Sequence, residues 1–116
     1  MKAAEGGRVA IFLSVEIVEE ISRVLSYPKI ERIYRAEGLR KSDLVEAVIK
    51  AGKFVKPTTR VRVVEEHPAD DKFIECALAA GAGCIVGGNR HLFKVASYKN
   101  VKILSMSDFL LAMDVE

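Results

Sequence analysis

The sequence has no tryptophan, only two cysteines and only three prolines, and each scarcity excludes something. No run of about 18 apolar residues occurs, which is the minimum a helix needs to cross a bilayer. Residues 1–7, Met-Lys-Ala-Ala-Glu-Gly-Gly, lack the apolar core of a secretory leader. A cytoplasmic chain with no membrane association is therefore expected. Cys76 and Cys84 form no Cys-x-x-Cys pair, and with His67 and His91 they match no structural zinc spacing. A disulfide framework and a zinc module are thereby excluded. Aromatic residues make up 7% and do not alternate with the basic ones, so a base-stacking platform is not indicated. Gly81 and Gly83 precede a strand, and Gly87-Gly88 lacks a third glycine, so the dinucleotide fingerprint is absent. Neither sign of charge prevails. A net charge of +2 permits a nucleic-acid partner without pointing to one.

What is present is an ordinary globular balance, with half the residues hydrophobic and 29% charged. At 116 residues the chain fits one domain, expected over 1–116. A short pattern recurs along it: an apolar strand, a capping residue, then a helix. Residues 9–13 are five apolar residues, as a strand buried on both faces requires. Ser14 reads as the cap of a helix carrying Ile17, Val18, Ile21, Val24 and Leu25, ended by Pro28. Ile30, Ile33 and Tyr34 indicate a second helix stopping near Gly38. Ser42 is placed to cap a third, with Leu44, Val45, Val48 and Ile49 on its apolar face and Gly52 at its end. Phe54-Val55 reads as a short edge strand, and Val61, Val63 and Val64 as extended chain.

Pro68 and Asp70 open a fourth helix with Phe73, Ile74, Ala77 and Leu78 on one face, closed by Gly81 or Gly83. Residues 84–86 form a strand, and 87–89 turn the chain. Asn89 caps a short helix through Phe93. Residues 101–104 form the last strand, followed by a helix capped by Ser105 or Ser107 and containing Phe109, Leu110 and Met113. Strands alternating with helices imply an α/β fold, with a parallel sheet of three or four strands covered by helices on both faces. Chemistry in such sheets gathers at the carboxyl ends of the strands, here Ser14, residues 87–89 and Ser105.

The acids Glu20, Asp70, Asp71 and Glu75 are of the type a hard divalent cation requires, provided that they converge from separate segments. Each also has an ordinary reading as a helix-start or solvated residue. Lys50, Lys53, Lys56, Arg60 and Arg62 form one basic group. Arg90, Lys94, Lys99 and Lys102 form another, and either could contact phosphate. The turn at 87–89 could instead serve as an anion nest.

Three stretches bear a family likeness. Residues 12–21 read Phe-Leu-Ser-Val-Glu-Ile-Val-Glu-Glu-Ile, and Val24, Leu25, Pro28 and Lys29 follow. Residues 67–82 read His-Pro-Ala-Asp-Asp-Lys-Phe-Ile-Glu-Cys-Ala-Leu-Ala-Ala-Gly-Ala, and 85–93 read Ile-Val-Gly-Gly-Asn-Arg-His-Leu-Phe. Together with 101–104 and 107–110 they resemble PIN-domain proteins, in particular toxins of prokaryotic toxin–antitoxin pairs. The likeness runs from about residue 3 onward and is most specific over 67–93.

That resemblance implies a three-layer PIN-like fold and a magnesium- or manganese-dependent endoribonuclease, with acids placing one or two metal ions to hydrolyse a phosphodiester. By position Glu20 matches the family's second acid and Asp71 its third, with Asp70 as a helper. Asn89 stands at the fourth. Glu20, Asp71 and Asn89 are thus the expected catalytic residues, and with Asp70 the expected metal ligands. Asn brings no charge, so weak metal affinity is expected. Single-stranded RNA, an antitoxin protein and a second copy of the chain are the implied partners.

The family's first acid lies on an opening strand with an Asp-Thr/Ser-Asn motif, and residues 3–8 look like the exit of the helix that follows it. The central first strand is expected to be missing. Either the native chain begins upstream of Met1, or this is a degenerate remnant. In the second case residues 9–13 and 84–86 are expected to pair directly or to borrow a strand, because unpaired buried amides cost about 1–3 kcal/mol each. Cleavage is expected to be weak or nil. The alternative is a non-catalytic PIN-derived module for binding or oligomerisation.

Overall fold

The computed structural model describes residues 9–87 and 89–114. The exit turn expected over residues 3–8, Gly88 of the expected turn, and the Met113 side chain lie outside the described residues. Two compact units make up the chain, Met1–Lys56 and Pro57–Glu116.

In the first unit β1 (Ile11–Leu13) leads into α1 (Val15–Leu25), α2 (Pro28–Ala36), α3 (Lys41–Ala51) and β2 (Gly52–Phe54). Ser14 is buried and caps α1, its hydroxyl accepting from the Ile17 amide at 3.3 Å. Pro28 does not end α1, as expected, but begins α2. The helix stops at Leu25, and Pro28 takes the first helical position, where its missing N–H leaves no bond unmade. Tyr34 locks this corner by donating from its hydroxyl to the Leu25 carbonyl at 2.7 Å. α3 begins at Lys41, ahead of the expected Ser42 cap. The Asp43 carboxylate accepts the Arg40 amide at 2.9 Å and performs the closure. β1 and β2 run parallel with Ile11 opposite Gly52 and Leu13 opposite Phe54. Val55 extends the contact by donating its amide to Leu13 at 2.8 Å.

In the second unit a 3₁₀ turn (Pro68–Asp70) leads into α4 (Asp71–Ala80). Then follow β3 (Cys84–Val86), α5 (Arg90–Val95), β4 (Ser97–Tyr98), β5 (Val101–Leu104) and α6 (Met106–Asp114). Gly81, at φ 66°, closes α4 in the left-handed region. β3 and β5 pair in parallel, and β4 adds to the other side of β5 as an antiparallel strand that the sequence pattern did not indicate. Its turn is made by Lys99 and Asn100, both at positive φ, the conformation a tight hairpin requires. Val64, Ile74 and Leu92 form the core, with Phe73, Leu78, Ile85 and Ile103 packed against them.

The architecture is α/β, with parallel ladders and flanking helices, as the alternation of elements implies. The ladder expected between 9–13 and 84–86 is not the one formed. Each of these strands pairs inside its own unit, with β2 and with β5. Among the described residues no helix is long and apolar enough to cross a membrane.

Candidate functional site

Every strand end singled out by the sequence is occupied by a helix cap. Ser14 follows β1, Asn89 caps α5 after β3, and Ser105 follows β5 and accepts the Asp108 amide at 3.1 Å. Caps of this kind satisfy amides that the first helical turn leaves without partners. Asn89 does most. Its Oδ1 accepts the His91 amide at 2.8 Å and the Leu92 amide at 3.4 Å, while its Nδ2 donates to Asp70 Oδ2 at 2.7 Å. The structure therefore brings Asp70 and Asn89 into direct contact, although 19 residues separate them.

Asp70, Asp71 and Glu75 are all buried, at 2%, 7% and 5% exposure. A buried carboxylate is tolerated only with hydrogen-bond donors around it. Asp71 finds them in the backbone: its Oδ1 accepts the Val63 amide at 3.0 Å and the Val64 amide at 2.9 Å. Glu75, one turn along α4, accepts the Val61 amide at 3.0 Å and an Arg60 guanidinium N–H at 3.1 Å. Residues 61–64 form neither helix nor strand, and the neighbouring Val63 and Val64 amides both turn to one oxygen, which fully extended chain would not allow. Their partner is a row of carboxylates. Glu20 lies half-buried on α1 in the first unit.

Beside Asp70 the two histidines stack, ring centroids 5.1 Å apart and planes at 18°. His67 Nε2 is 3.9 Å from Asp70 Oδ1, and His91 Nδ1 is 3.5 Å from Glu66 Oε2. Lys94 Nζ donates to both Glu66 oxygens, at 2.8 and 2.9 Å. Those Lys94 bonds and the Lys94 charge, with a smaller contribution from His91, hold the Glu66 carboxyl below its ordinary pKa. Glu66, His91 and Lys94 line an open cavity of about 410 Å³ together with Val63 and Val64. Neither the histidine stack nor the Glu66–Lys94 pair had a sequence signal. The pair spans 28 residues, and only tertiary folding joins it.

A magnesium-type cation wants about six oxygen ligands around one point. Asn89 Oδ1 already accepts two amides, as does Asp71 Oδ1, and a carbonyl or carboxylate oxygen has two lone pairs to offer. Asp70 is closed off by burial and turned toward the Asn89 amide. Among the described residues of this unit no three His, Cys, Asp or Glu side chains are grouped to hold a metal ion. As placed, Asn89 Oδ1 and Asp71 Oδ1 have no lone pair left for a divalent cation. Basic side chains, by contrast, are exposed: Arg62, Arg90, Lys99 and Lys102 in this unit, and Lys53 and Lys56 in the other.

No curated protein and no solved structure is a match for the chain. One family model is, the PIN domain, over residues 1–91. That span includes β1, the acids of α4, β3 and the Asn89 cap. A nuclease-type α/β fold follows from that match, and the chain belongs to the PIN-domain family.

Proposed function

We propose that the chain is a PIN-type protein directed at single-stranded RNA, of endoribonuclease lineage, with weak or no cleavage of its own. The match over residues 1–91 carries this reading, since PIN domains commonly bind RNA and generally use divalent metal ions. The exposed Arg62, Arg90, Lys99 and Lys102 supply the phosphate-binding charge that such binding needs. Weak chemistry follows from the acid positions. Asn89 stands where a charged fourth ligand would serve magnesium or manganese, and its carbonyl is spent on the α5 cap. Glu20, Asp71 and Asn89, with Asp70 beside them, remain the positions at which catalysis would be sought. The likeness of residues 12–29 to toxins of toxin–antitoxin pairs supports an antitoxin protein and a second copy of the chain as partners.

The test is a fluorescent single-stranded RNA titrated with the chain at low and at raised salt, then incubated with magnesium or manganese. Binding that weakens steeply with salt, and cleavage at or near background, are expected. Absence of binding at low salt would end the RNA reading. Rapid metal-dependent cleavage, abolished by Asp71→Asn, would end the weak-site reading.

A further inference from the structure

We infer that the acid corner of the second unit is a brace that works without a metal ion: amide N–H groups, joined at Glu75 by the Arg60 guanidinium, take the place of a metal ion toward Asp70, Asp71 and Glu75. The inference stands whether or not the chain binds RNA.

The geometry of α4 matches the chain it holds. Asp71 and Glu75 are four residues apart on a helix, which places them roughly 6 Å apart along the axis. Val61 and Val63 are two residues apart, a stretch of chain that can span at most about 7 Å. The bonds respect this register, Val61 to Glu75 and Val63 to Asp71, so segment and helix run antiparallel. Carboxylates thus satisfy backbone amides that no strand or helix partner reaches. The buried Val64 is anchored in the same way and seats itself against Ile74 and Leu92 in the core. At the other end of the corner Asn89 joins Asp70 to the start of α5 through both ends of its amide. An Asp at 89 would put two carboxylates within hydrogen-bond distance, where one must take up a proton or a cation. The Asn89 amide removes that need.

Amide hydrogen exchange on the native chain and its variants tests this. Asp71→Ala is expected to speed exchange at Val63 and Val64 by roughly tenfold or more while β3 and β5 stay protected. Asp71→Asn, which keeps an oxygen acceptor, should speed it less. Asn89→Asp is expected to lower the thermal midpoint at neutral pH and to recover it in millimolar magnesium. In the native chain, millimolar Mn²⁺ should leave the NMR signals of the Val63 and Val64 amides unbroadened, a reading that requires no variant to fold. Unchanged exchange in Asp71→Ala, indifference of Asn89→Asp to magnesium, or Mn²⁺ broadening at Val63 and Val64 would each overturn the inference.

Discussion

At Ala96 the backbone stands at φ 64° and ψ −51°, a region that costs an L-residue about 1–3 kcal/mol. The surroundings hold it there, since the Ala96 carbonyl accepts the Ile103 amide at 2.9 Å. Ala96→Gly is therefore expected to stabilise the protein by about 1 kcal/mol, read from denaturant unfolding. Gly52 presents the opposite case. A Cβ there would run into the Leu13 side chain, which is buried and cannot swing into solvent. Gly52→Ala is expected to cost about 1–3 kcal/mol by overpacking. Ile74 has no exposed surface, and Ile74→Ala should cost about 2–5 kcal/mol through the cavity it leaves. The helical spacing of residues 73–78 made Ile74 legible as core. Gly52 was legible only as a helix end, because its second role depends on Leu13, 39 positions back in the sequence and on the neighbouring strand β1. The histidine stack and the Asp70–Asn89 bond were hidden for the same reason.

Among the elements, the capped helices were the most readable, because a cap is a contact over three residues. Ser14, Asn89 and Ser105 all act as the sequence indicated. Where two residues competed for a boundary, local chemistry was ambiguous. Asp43 closes α3 ahead of Ser42, and Pro28 starts a helix rather than stopping one. The β4–β5 hairpin escaped notice because its turn is Lys99-Asn100, without the glycine that usually marks positive φ. Segment 61–64, read from its valines as extended chain, joins no strand, because its amides bond to the Asp71 and Glu75 side chains. The link between Glu66 and Lys94 in the last turn of α5 has a pH consequence. The Glu66 carboxyl is held below its ordinary pKa when folded, so its contribution is present above the ordinary glutamate range. It fades as pH falls through the lowered value. With the pair exposed, that contribution is small. An NMR titration should show Glu66 titrating at lower pH than an unperturbed glutamate, and Lys94→Ala should return it to the ordinary range.

For the molecule as a whole, the family was legible because its acids sit at fixed points of the strand–helix pattern, and the match over residues 1–91 agrees. What the pattern could not convey is how those acids are used. Three buried carboxylates and one Asn read alike as metal ligands or as internal acceptors until their donors are seen, and here the donors are amides and, at Glu75, also the Arg60 guanidinium. The same positions that serve chemistry in a metal-dependent nuclease can thus hold this chain together. That predicts a stability indifferent to divalent ions. The most direct measurement is the thermal midpoint of the native chain in a chelator and again in millimolar magnesium. The two midpoints should coincide. A saturating rise of several degrees would mean that the folded state binds the ion, contradicting a brace that works without a metal ion.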